Sequence, residues 1–84
     1  MNDEVNLSLS MAAIYAFIKS WLPKKDLGLF EDMVQNRLST NYGTSEFCIT
    51  KMDKHYRLMA EKYLEIVDDC MEKAGELEYA EQDH

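Results

Sequence analysis

The stretch KMDKHYRLMAEKYLEIVDDCMEKA, residues 51–74, decides the fold of this chain. Met52, Tyr56, Met59, Tyr63, Ile66 and Cys70 recur at alternating spacings of four and three, and a second row runs through Ala60, Leu64, Val67, Met71 and Ala74. Both rows have the helical period, and side by side they give one helix with a wide apolar face. Thr50-Lys51-Met52-Asp53 has the form of a capping box with Asp in place of Glu, which starts this helix at Lys51. Gly75, just after Lys73, is a natural C-cap, so the helix is expected over Lys51–Ala74, with 76–84 as an acidic tail that frays.

Two shorter helices are expected upstream. Ser8 or Ser10 can cap the first, Ser10–Leu22, in which Met11, Ile14, Phe17, Ile18 and Trp21 recur at helical spacing and Pro23 forms the stop. Lys19 is its only charge, and a helix apolar around most of its circumference is expected to be central. Trp21 next to Pro23-Lys24-Lys25 has the composition of a binding hot spot, yet its phase places it in the core. The second helix, Asp26–Asn41, takes Asp26 as N-cap, carries the stripe Leu27, Phe30, Val34 and Leu38, and ends before Gly43.

Glu46-Phe47-Cys48-Ile49-Thr50 is ambiguous. It reads as a connector or helical turn, or else as a short extended segment over 46–50. A lone strand has nothing to pair with in this chain, which favours the first reading. The fold expectation is therefore all-α: a small three-helix bundle with a long third helix, one domain over 1–84. Its core is expected at Ile14, Phe17, Ile18, Phe30, Val34, Leu38, Met59, Tyr63 and Ile66.

Composition narrows the function. In 84 residues there is room for one core, and 46% hydrophobic residues suffice to build it. Cys48 and Cys70 form no CxxC pair and follow no secretory leader, so a reducing, cytoplasmic setting is expected, with both thiols acting as small hydrophobes. His55 and His84 have no zinc-type spacing, so no metal and no cofactor are expected. The uncharged run Val5–Ile18 is too short and too polar for a membrane span.

No catalytic residue is assigned. His55 lies beside Lys54 and Arg57 without a positioned acid, no nucleophile has a paired base, and Gly28, Gly43 and Gly75 are too scattered for a phosphate-cradling loop. The chain is expected not to be an enzyme.

Two surfaces remain. At 1.5 Å per residue the third helix spans roughly 36 Å against roughly 21–24 Å for the others, so its distal apolar residues outrun their partners. Ile66, Val67, Cys70, Met71 and Leu77 are therefore expected to meet another chain, which implies a protein partner or a homo-oligomer. The other surface is acidic: Glu61, Glu65, Asp68, Asp69, Glu72 and Glu76 form a stripe opposite the apolar rows. From Glu61 onward nine acids face only Lys62 and Lys73, so the net charge of −7 is carried entirely by this end. Such a stripe repels nucleic acid, so no direct nucleic-acid binding is expected. Two functions compete: a non-enzymatic interaction module, adaptor or inhibitor, that docks or self-associates through the third helix, and an acidic nucleic-acid mimic. The mimic would inhibit a nucleic-acid-binding protein, as host-defence and anti-defence inhibitors do.

Overall fold

The computed structural model describes the backbone of residues 3–82 and the side chains of residues 10–75. It is all-α, with four helices and no strand among the described residues: α1 Asp3–Trp21, α2 Lys24–Leu38, α3 Tyr42–Lys51 and α4 Lys54–Gln82. At about 44 Å by its residue count, α4 sets the long axis of a particle 47 × 27 × 16 Å. It packs against the other three helices, while α2 and α3 form a tight hairpin and α1 lies along α4. The Tyr63 hydroxyl donates to the Met11 carbonyl at 3.0 Å, and the start of α2 adjoins the start of α4, so α1 and α4 run antiparallel.

The fourth helix is α3, which extends the helical turn considered for 46–50 into a full helix and rules out the extended segment. Asn41 caps it, its side chain accepting from the Thr44 N–H at 3.4 Å. Ser45, Cys48, Ile49 and Met52 point inward at helical spacing. The period is hard to read because Ser45 and Cys48 are weak apolar markers, and Phe47, the strongest, is 57% exposed with Lys51 Nζ 4.8 Å above its ring. The α2–α3 turn uses Thr40 at φ 60°, not Gly43, in the left-handed position. Asn41 N–H donates to Asn36 O at 2.8 Å and Thr40 N–H to Arg37 O at 3.1 Å, which closes a Schellman-type end.

Helix boundaries shift accordingly. Asp53, not Thr50, caps α4, its Oδ1 accepting from the His55 N–H at 2.9 Å. Arg57 donates to the Met52 and Thr50 carbonyls at 2.9 and 2.6 Å and fixes the α3–α4 corner. α1 begins at Asp3, so Ser10 lies inside it instead of capping it. α4 continues through Gly75, because a single glycine costs only about 1 kcal/mol against helix-forming neighbours. Pro23 occupies the N-cap of α2, and Asp26 is wholly buried in its first turn, where Oδ2 accepts from the Asp53 N–H at 3.4 Å.

The core is centred on Ile18, Phe30, Met33, Met52, Ala60, Tyr63, Leu64 and Val67. Phe30 stacks on Tyr15 and tilts against Tyr63, both at 5.5 Å between centroids. Three expected core side chains lie elsewhere: Phe17, Trp21 and Leu38 are 59%, 63% and 43% exposed. The first helix is therefore peripheral and not central, since among its described side chains Met11, Ile14, Tyr15 and Ile18 pack on the bundle, with Leu22 just past its end.

Candidate functional site

The groups most able to do chemistry are quiet. Burial, with the Asp32 carboxylate adding to it, pushes the Cys48 thiol above its ordinary value of 9.0, which disfavours the nucleophilic thiolate. His55 is exposed and set edge-on to Tyr56 at 4.9 Å. No three His, Cys, Asp or Glu side chains among the described residues converge in a way that could hold a metal ion. No helix among the described residues is long and apolar enough to cross a membrane.

The apolar residues expected to meet a partner are mostly turned inward. Val67 is fully buried and belongs to the core, while Ile66, Cys70 and Met71 are half-buried, Ile66 and Met71 against the core itself. The physical reason is that three helices, α1, α2 and α3, pack against α4, where two are expected from the sequence. The side chains of Leu77 and Glu76 lie outside the described residues.

The acidic stripe does assemble. Glu61, Glu65 and Asp68 line a groove of about 300 Å³ together with Glu46 from α3, over a floor of Ile49, Leu64 and Arg37. Asp69 and Glu72 are exposed beyond it. Arg37 is the organising cation. Its side chain is only 9% exposed, and it donates to Glu46 Oε1 at 2.6 Å and Ser45 Oγ at 3.3 Å, pairs with Asp68 Oδ2 at 3.5 Å, and stacks under Tyr42 at 4.9 Å. The Ser45 hydroxyl in turn donates to the Met33 carbonyl at 2.9 Å. Helices α2, α3 and α4 thus meet at one guanidinium.

The outward side of α1 is a different surface. Ser10, Ala12, Ala13, Ala16, Phe17, Ser20 and Trp21 are all exposed, and none is charged. Phe17 and Trp21, four apart, place their ring centroids 5.8 Å from each other. Ser20 donates its hydroxyl to the Phe17 carbonyl at 2.6 Å, so its one strong donor is already satisfied. Lys19 is drawn away toward α2, 3.4 Å from Glu31 and 5.0 Å from the Tyr15 ring centroid.

Other exposed aromatics have a charged cover: Lys51 lies over Phe47 and Arg37 over Tyr42. Among the described residues, Phe17 and Trp21 have none of this kind. Between α1 and α2 a further groove of about 310 Å³, lined by Tyr15, Val34, Leu38 and Tyr63 and also by Glu31 and Gln35, opens beside Ala12. This face is not evident from the sequence, because Phe17 and Trp21 each follow an inward isoleucine by three positions and so look in phase. The available signal was that a helix apolar all round, at the edge of a small bundle, must leave one side uncovered. No protein-family model matches this chain, and comparison with curated proteins and with solved structures returns no significant similarity.

Proposed function

We propose that this chain is a non-enzymatic protein-interaction module that docks through the outer face of α1. One observation carries the reading: in a chain of net charge −7, one helix exposes an aromatic pair and small residues with no charge among them. Exposed aromatic pairs in water are costly, and they are the side chains that interfaces bury at their centres. The two free cysteines suit a reducing, cytoplasmic setting. The distal α4 residues Ile66, Cys70 and Met71 are secondary here, since the chain already half-covers them.

A second reading has its own support. Glu46 joins Glu61, Glu65 and Asp68 around one groove, which extends the stripe from a line into a two-helix acidic surface. That surface suits an inhibitor that occupies the basic groove of a nucleic-acid-binding protein, and it would not bind DNA or RNA itself.

Capture experiments separate the two. A tagged chain is used as bait for proteins of its source cell and for an untagged copy of itself, at low and high salt. Docking through α1 is expected to survive high salt, and to be lost in Phe17→Ser/Trp21→Ser but kept in Glu65→Gln/Asp68→Asn/Glu72→Gln. The reverse pattern, with salt-sensitive capture lost only in the neutralised triple variant, would overturn the α1 reading in favour of mimicry.

A further inference from the structure

The outer face of α1 restricts what can cover it. Two copies of a −7 chain repel one another, and every carboxylate brought into their contact adds to the penalty. Exposed carboxylates stand on α2 at Glu31 and Asp32, on α3 at Glu46, and along α4. From Ser10 to Trp21, α1 exposes none. Glu31, the α2 carboxylate that adjoins α1, is paired with Lys19 at 3.4 Å, so among the described residues this is the helix on which a second copy meets least uncompensated negative charge.

Shape points the same way. The small residues Ser10, Ala12, Ala13 and Ala16 occupy one half of this face and the rings Phe17 and Trp21 the other, so a copy running antiparallel sets small against large. If a two-fold axis passes between Ala16 and Phe17 of antiparallel α1 helices, Phe17 lies opposite Ala16 of the second copy, Trp21 opposite Ala12, and Ser20 opposite Ala13. Trp21 then meets the small residues of the second copy's N-terminal half, the two Phe17 rings meet one another across the axis, and the small residues allow the two helix axes to approach closely.

We propose that the occupant of this face is a second copy of the chain, in an antiparallel α1–α1 dimer. The proposal rests on the reading of α1 as the docking face. With Phe17 and Trp21 59% and 63% exposed, the rings and their small neighbours can bury roughly 400–500 Å² per copy, at the low end for specific association. The dimer is therefore weak and reversible. A lipid surface is the less favoured occupant: exposed Lys24 and Lys25 follow the rings, but a net charge of −7 sets the chain as a whole against anionic headgroups.

The test is sedimentation equilibrium of the full chain from about 1 μM to about 1 mM, the range in which an interface this small populates. The weight-average mass is expected to climb from 9.8 kDa toward twice that value, with Trp21 emission shifting to the blue. Ala16→Lys, an exposed substitution by a good helix former that also makes the chain less negative, should move the transition at least tenfold in concentration with an unchanged circular-dichroism melt. Leu58→Lys, which alters a 64% exposed side chain on α4, should leave the transition in place. A chain that stays at 9.8 kDa throughout, or a dimer indifferent to Ala16→Lys, overturns the proposal. If a monomeric chain still captures another protein through Phe17 and Trp21, the docking reading stands and only the second copy is wrong. Trp21-dependent binding of a monomer to phosphatidylcholine vesicles would overturn both.

Discussion

Phe17 and Phe30 are the same residue type in adjacent helices, each at a helical spacing from other apolar residues, and truncating each to alanine should have very different effects. Phe30 is 0% exposed, held between Tyr15 and Tyr63. Phe30→Ala leaves a cavity at the centre of the bundle and should cost about 3–5 kcal/mol. That is comparable with what one small core supplies, so the variant is expected to be largely unfolded at room temperature. Phe17 keeps about two-fifths of its surface from water. Removing its ring returns roughly 50 Å² to solvent, which at about 25 cal/mol per Å² is about 1 kcal/mol. No closed cavity forms, and alanine regains about 0.5 kcal/mol of helix propensity, so the net loss is about 0.5–1 kcal/mol. Urea melts followed by far-ultraviolet circular dichroism, at concentrations low enough to hold the chain monomeric, should separate the two variants by about 3 kcal/mol. Equal destabilisation would place Phe17 in the core, and the uncharged docking face of α1 would lose its anchor.

The Arg37 junction should contribute moderately to stability. Glu46 and Asp68 have side chains 63% and 46% exposed and regain water when the guanidinium is removed, so Arg37→Met, which keeps the stem packing, should cost about 1–3 kcal/mol by urea midpoint; a variant as stable as wild type would show that the junction adds nothing. Tyr63 supplies a pH dependence. Burial first, then the neighbouring Tyr15 and Cys70, pushes its phenol up from 10.0 to about 12. The folded state holds this proton more tightly than the unfolded one, so the contribution is intact below pH 10 and is lost as pH rises toward 12. Tyr63→Phe should flatten that alkaline loss, and a melt series in which the two chains decline in parallel would refute it.

The fold class was legible because α4 carries two complete apolar rows, and no β pattern imitates a helical period over so many residues. The number of helices was not. α3 turns Ser45, Cys48 and Ile49 inward and Phe47 outward, so its strongest hydrophobe marks the wrong face. Its cap, Asn41, comes two residues before a glycine that suggests a terminator, while the left-handed residue that ends α2 is Thr40. Boundaries failed for a related reason. Asp53 and Thr50 both suit an N-cap, and only the tertiary placement of Asp26 and Arg57 around the α3–α4 corner determines which one serves.

The candidate surfaces were legible in proportion to how local their cause is. The acidic stripe follows from spacing within α4, so Glu61, Glu65 and Asp68 could be named from the sequence. Glu46, which widens the stripe into a groove, could not, because it arrives through the α2–α3 hairpin and is held there by Arg37. The α1 face depends on still more distant causes. Phe17 and Trp21 are buried or exposed according to how many neighbours α1 has, and that number is set by α2 and α3 pairing with each other, which leaves α1 with α4 as its main support. Charge then gives the exposed side its meaning. The carboxylates that keep the chain apart from its own kind are concentrated toward its C-terminal end, and α1, which has none from Ser10 to Trp21, is where a contact can form.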